Sequence, residues 1–356
     1  MNTSGVEDFS ASRLTLARER RGLTKQALAA RLKLTSRAVS GYESGEIVPS
    51  HDSLDEIARV LGFPRSFFCL EEVDPLARDS VSFRAQSRAS MKLQRRVLAV
   101  GTLALEFSAL ISARFELPEV KVPDLHDMGP IGAAQALRVE WGLGERPIRN
   151  MVHLLESKGV RVFSLSEDCQ SIDAFSFWRD SVPYVFLNNQ KTAEHAVFDA
   201  AHELGHLVLH PQGAAESGAE READEFASNL LLPKTAMLSE APRLVSIRTL
   251  CGLKARWRTS VAAIAYRLHG LGLMSDWHYR QINIELSKRG RANEPMPQAR
   301  ETSAVLKKVF AALDAKGVSL RDLARELRIP ASELREVTFG PVSIDGGGER
   351  VRRGPP

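Results

Sequence analysis

Along the chain, apolar residues recur at helical spacing far more often than they alternate. Leu14, Leu16 and Ala17 punctuate 12–22, and Thr24 caps a helical repeat running to Leu32. Thr35 caps a further helix over 36–43, which ends at Ser44-Gly45, and Leu54, Ile57, Ala58 and Leu61 mark a fourth over 53–61. A longer helix is predicted over 91–115, before Pro118 and Pro123, and shorter ones over 133–138 and 148–158. Strand-length apolar or alternating runs then appear at 159–163, 173–178 and 182–188. Helical spacing resumes at 196–209, at 220–231 up to Pro233, and at 260–271. Beyond the polar, Pro-broken stretch 290–297, helices are predicted over 302–313, 320–327 and 332–337. The tail 345–356 is Gly, Arg and Pro, with too little apolar content to fold. The expected fold is multidomain and mostly α, with a small α+β part.

The most informative stretch is His202-Glu203-Leu204-Gly205-His206, set between apolar flanks. On a helix, positions i and i+4 share a face, so both imidazoles reach one metal ion. Glu203, one step round, is placed to act as general base on water held at that metal. A third ligand is expected from 220–233, where Ala223, Phe226, Ala227, Leu230 and Leu231 form an apolar stripe. Glu220 and Asp224 stand four apart beside that stripe, and a Gly/Ala/Ser-rich loop lets this helix fold back on the first. Glu220 would complete a two-His-one-Glu set, with Glu222 as its rival, and Asp224 would accept the second ring N–H of a ligating His.

Phe198-x-x-Ala201-His202-Glu203-Leu204-Gly205-His206-Leu207, followed by Glu220-x-Glu222-Ala223-Asp224-x-Phe226-Ala227, resembles the ImmA/IrrE family of zinc metallopeptidases over about 160–273. The resemblance implies a zincin-like α+β domain with a short sheet, one Zn2+, a thermolysin-like ligand set and a protein substrate such as a repressor or antitoxin-like regulator. It also suggests a role in stress or mobile-element responses. The run 182–188 is expected to be the edge strand beside the cleft. Tyr266, His269, His278 and Tyr279 follow, but no spacing selects one of them to stabilise an oxyanion.

At the N-terminus, short helices at this spacing describe a helix-turn-helix core. Between Ser10 and Gly45 stand eight Lys/Arg (13, 18, 20, 21, 25, 31, 33 and 37) against Glu19 and Glu43, the footprint of a phosphate-binding face. Leu23-Thr24-x-x-x-Leu28-Ala29-x-x-Leu32 and Val39-x-x-Tyr42-Glu43-x-Gly45 resemble the XRE, lambda-repressor-like DNA-binding domains over about 12–68. By that resemblance Ser36, Arg37 and Ser40 open the recognition helix, while Thr24, Lys25 and Gln26 approach the DNA backbone. Two positions depart from the pattern: Lys33 stands where Gly is common, and Gly41 where a longer base-contacting side chain is usual.

Composition narrows the function classes. The 356 residues are too many for one typical core, and 44% apolar with 26% charged residues are soluble-globular values. The net charge of +4 is too small to argue for nucleic acid, so that case rests on the local clustering. Cys69, Cys169 and Cys251 show no metal or redox spacing, which suits a reducing compartment, and the N-terminus lacks a secretory apolar segment. The apolar run 97–105 is bounded by Arg95, Arg96 and Glu106 and is too short to span a bilayer. A cytoplasmic protein with no membrane partner is expected.

The expected units are a helix-turn-helix domain (1–70), a basic linker with a long helix (71–125), the peptidase domain (126–280), a C-terminal helical domain (281–345) and a disordered tail (346–356). Leu320-x-x-Leu323-Ala324-x-x-Leu327, with Ser319 as cap, faintly echoes the first helix-turn-helix. It reads either as a second binding module or as a structural cap on the peptidase. The function expected is a DNA-binding zinc endopeptidase, with a homodimer on palindromic double-stranded DNA compatible with the docking geometry of such domains. The alternative is a non-enzymatic regulator whose peptidase-like domain senses metal or binds a partner. Intact Glu203 favours the enzyme, because a sensor needs no general base.

Overall fold

The computed structural model describes residues 8–78, 81–83, 90–165, 169, 172–211, 218–290 and 293–339. The tail, and Arg84 and Arg88 of the basic linker, lie outside the described residues. Four N-terminal helices, α1 (Ala11–Arg20), α2 (Lys25–Leu32), α3 (Ser36–Glu43) and α4 (His51–Leu61), each begin at a hydroxyl. Ser10, Thr24, Thr35 and Ser50 accept from the amide three residues on, satisfying a donor the helix leaves free. Thr24 and Thr35 were legible as caps in the sequence; the fourth helix begins at His51, two residues before the expected start at 53. Lys33 ends α2 at φ 56°, the left-handed conformation that explains why Gly is usual there.

A four-stranded sheet forms the centre, in the order β1 (Ser82–Phe83), β3 (Ala174–Arg179), β4 (Val182–Asn188), β2 (Arg161–Leu165). β4 runs antiparallel to β3 and parallel to β2. The run 182–188 is therefore an inner strand, not the edge strand expected beside the cleft. Its uninterrupted apolar character is the signature of a strand covered on both faces.

Alternation sorts the two faces. Phe163, Phe175, Phe177, Tyr184 and Phe186 point to one side, where Phe175 and Phe186 stack at 4.3 Å and Phe177 and Tyr184 at 5.2 Å. Val162, Ala174, Val185 and Leu187 point to the other. The aromatic face shares a core with the N-terminal helices, with α5 (Met91–Ser112) and with α14 (Ala304–Asp314), α15 (Leu320–Glu326) and α16 (Ala331–Val337). The opposite face shares a second core with α6 (Pro130–Glu140), α7 (Met151–Ser157), α8 (Ala193–Leu209), α9 (Ala219–Leu231), α10 (Lys234–Glu240), α11 (Ile247–Trp257), α12 (Val261–Gly270) and α13 (Asp276–Arg289).

The C-terminal helices are built into this body. Arg20 of α1 donates to Glu333 at 2.5 Å and also meets Glu336; Arg21 donates to Glu333 at 2.6 Å. Leu334 and Val337 of α16 are buried in the aromatic-face core. The echo of a helix-turn-helix in 318–334 thus packs as a clamp joining the first helices to the sheet; Ser319 caps α15 in a reciprocal box with Asp322. The stretch 293–298 is anchored as well: Lys254 donates to Glu294 and to the Pro295 carbonyl, and the Gln298 amide donates to Glu194. Among the described residues, no helix is long and apolar enough to cross a membrane.

Candidate metal centre

Thr192 caps α8, and the helix carries His202 and His206 one turn apart with their Nε2 atoms 3.0 Å from each other. Both rings are buried, as is Glu203. α9 packs closely against α8 because position 205 is glycine: a Cβ there would lie 3.0 Å from the Phe226 ring and 3.2 Å from Ala223 Cα. That approach brings the first turn of α9 to the imidazoles. Glu220 Oε1 lies 3.3 Å from His206 Nε2, and Oε2 lies 3.5 Å from His202 Nε2. Asp224 Oδ1 lies 2.8 Å from His202 Nδ1, on the opposite side of that ring.

The donor set fits zinc. Tetrahedral ligands at about 2.0–2.1 Å from one ion stand roughly 3.3 Å apart, which is the spacing of these three donors. His202, His206 and Glu220 are the one such cluster among the described residues. Glu222, the rival, turns elsewhere: its Oε2 lies 3.0 Å from His210 Nε2.

Glu203 has a partner not anticipated from the sequence. Ser176 of β3 donates to its Oε2 at 2.6 Å and lies 3.3 Å from its backbone carbonyl. Ser176 falls between Phe175 and Phe177 and faces α8 by strand alternation, while Trp178 on the same face donates to the Leu207 carbonyl. A serine inside an aromatic strand was the available signal. The other unanticipated group is His210, at i+4 from His206 and legible as the third histidine in that series. Tyr266 is exposed, His269 stacks on Tyr279 at 4.4 Å and pairs with Asp276, and His278 bonds Ser275.

Burial lowers the His206 pKa to about 4, with the Glu220 carboxylate opposing the shift. Glu220 itself is held down to about 2: burial works against its charge, but hydrogen bonds with His202 and His206 prevail. An unfolded histidine titrates near 6.5, so as pH falls from there towards 4 the unfolded chain binds a proton that folded His206 refuses. Metal-free protein is therefore expected to lose stability across that window. Thermal midpoints of chelator-treated protein from pH 7 to 4.5 check this; a fall just as steep in His206→Gln would show that other groups cause it.

In the N-terminal helices, Thr24, Lys25, Gln26, Ser36 and Arg37 are exposed and Ser40 is half-buried. Thr24 is engaged as the α2 cap, and Lys25 lies 3.3 Å from Glu43. Gly41 is buried, and a Cβ there would come within 2.7 Å of the end of the Ile47 side chain, so a larger residue at this position would have to displace Ile47. The basic footprint is smaller than the sequence count implies. Arg13 pairs with Glu106, Arg18 with Glu43, and Arg20 and Arg21 with Glu333, leaving Lys25, Arg31, Lys33 and Arg37 as the exposed cations around α2 and α3.

A peptidase-family profile described as the IrrE N-terminal-like domain matches residues 155–269, and a helix-turn-helix domain profile matches residues 11–66. A comparison with curated proteins finds no match. The chain thus joins a helix-turn-helix domain to an IrrE N-terminal-like domain.

Proposed function

We propose that this chain is a DNA-bound zinc endopeptidase that hydrolyses a peptide bond in a regulatory protein, of the repressor or antitoxin class, and so controls transcription in a stress or mobile-element response. The observation that carries the reading is the meeting of His202 Nε2, His206 Nε2 and the Glu220 carboxylate at ligand spacing, with a buried Glu203 beside them. Zinc there would polarise the scissile carbonyl and acidify water. Glu203, its carboxylate held by Ser176, takes the proton of the attacking water and returns it to the leaving amine. Asp224 accepts the Nδ1–H of His202, which leaves Nε2 its lone pair for the ligand role.

Thr24, Lys25 and Gln26 approach phosphates and Ser36, Arg37 and Ser40 open the recognition helix, on double-stranded DNA bound by a homodimer in the cytoplasm. Attachment to an operator raises the effective concentration of the peptidase near a DNA-bound substrate.

Metal content tests the reading directly. Purified protein is expected to hold close to one zinc per chain, and Glu220→Gln to lose it while Glu222→Gln retains it. Protein that takes up no zinc even when the metal is supplied would leave a DNA-binding regulator with an inert peptidase fold.

A further inference from the structure

His206 has a second nitrogen, and what it faces differs from what His202 faces. His202 Nδ1 meets a carboxylate directly, at Asp224. His206 Nδ1 meets another imidazole: His210 Nδ1 lies 3.2 Å away, and the far nitrogen of that ring, Nε2, lies 3.0 Å from Glu222 Oε2. His210 is the C-terminal cap of α8, its amide donating to the His206 carbonyl at 2.9 Å, so its ring is fixed under that of His206. The two rings stand 5.3 Å apart, tilted by 51°.

We propose that His210 and Glu222 are positioning residues that set the tautomer and orientation of His206 through a relay, His206 Nδ1–H to His210 Nδ1 and His210 Nε2–H to Glu222. The inference rests on His202, His206 and Glu220 being the metal site. With both rings neutral and the Nε2 atom of His206 kept for the metal, the proton count admits one arrangement. A neutral imidazole carries one N–H and one lone pair. Of two Nδ1 atoms in contact, one donates and the other accepts. If His210 donated, His206 would carry its proton on Nε2, aimed at the other two ligand atoms, and the bare Nε2 of His210 would face the Glu222 carboxylate, acceptor against acceptor. If His206 donates, its Nε2 lone pair faces the metal position, His210 carries its proton on Nε2, and Glu222 accepts it. Every contact behind His206 is then satisfied, and the Nε2 lone pairs of His202 and His206 are left facing Glu220, as a shared metal requires.

The relay also explains two acids so close together in the first turn of α9. Glu220 and Glu222, two residues apart, diverge around the helix, one to the Nε2 atoms of His202 and His206 and the other to the Nε2 atom of His210 behind them. His210 is not itself a ligand in this arrangement, since its Nδ1 abuts the face of His206 that points away from Glu220.

The test measures zinc affinity by chelator competition, together with the visible spectrum of the cobalt-substituted protein, in wild type, His210→Phe, Glu222→Ala and the double variant. Partners behind a ligating histidine are worth about 10–100-fold in metal affinity. Each single variant is expected to weaken zinc by about that factor and to shift the cobalt bands. Because the two act in series, the double variant is expected to be no weaker than His210→Phe alone.

Unchanged affinity and spectrum in both single variants would overturn the relay, and so would effects that multiply in the double. Complete loss of zinc in Glu222→Ala, with Glu220→Gln still loaded, would make Glu222 a ligand and overturn it too. Failure of the wild type to bind zinc would instead overturn the metal site itself. Glu222 is half-exposed, so its substitution leaves a folded protein in which the test stands even if His210→Phe does not fold.

Discussion

Glu203→Gln is expected to keep its metal and to lose about 10²–10⁴-fold of its peptidase rate, the usual contribution of a positioned general acid–base. The carboxamide has the shape of the carboxylate and still accepts from Ser176, so the packing of a fully buried side chain is preserved. It has no basicity with which to take a proton from water. Glu203 is also absent from the cluster of three donor groups, so zinc content should be the same in the two proteins. New protein N termini generated in lysate of the source cell by wild type, and missing with Glu203→Gln at equal zinc, would meet the expectation. The same termini from both proteins would remove Glu203 from the chemistry. Ser176→Ala should fall between the two, because the base remains and only its orientation is released.

Glu333→Ala is expected to destabilise the fold by about 3–5 kcal/mol, the range for removing one partner of a buried ion pair. Arg20 and Glu333 are only 2% and 3% exposed, and Glu333 also holds Arg21. Burial by itself disfavours the Arg20 charge; Glu333 and Glu336 outweigh it and hold the pKa of Arg20 above its ordinary value. Without Glu333 the guanidinium stays charged in a buried site and loses its most buried carboxylate, while the pair with the more exposed Glu336 is kept. Urea denaturation compares the variant with Glu326→Ala, which removes the exposed pair to Arg114 and should cost no more than about 1 kcal/mol. Equal losses in the two variants would mean that the α1–α16 clamp contributes no more than a surface pair. The clamp predicts further that Glu333→Ala exposes α16 to proteolysis before the helices around the metal site.

The difference between these carboxylates shows which parts of the molecule could be read in one dimension. Helix starts at Thr24, Thr35 and Ser319 were legible, because a cap acts on an amide three residues away. The pairing of His202 with His206 was legible for the same reason: the repeat of the helix places both on one face. Asp224 matches Glu220 by the same rule, and Glu222 points away from that face, which favours Glu220; only the packing of α9 on α8 shows that Glu222 meets His210 instead. Glu43 and Glu333 were invisible as partners of the N-terminal arginines. A charge count along 10–45 therefore overstated the cations left for DNA, since Glu43 closes on Arg18 and Glu333 arrives from 313 residues beyond Arg20.

Sequence alone determined most of the elements, the caps at Thr24, Thr35 and Ser319, and the histidine pair with Glu203 beside it, because each follows from contacts within a few residues on a chain of known geometry. The short strand Ser82–Phe83 and the helices Lys234–Glu240, Ile247–Trp257 and Asp276–Arg289 were not legible there. Tertiary structure alone decided that 182–188 is an inner strand, that Ser176 holds Glu203, that His210 stands between His206 and Glu222, and that the last helices lock the first. Those outcomes depend on which faces of distant elements are driven together to bury apolar surface, and on the few close approaches, such as Gly205 beneath Phe226, that set the distance at which polar groups meet.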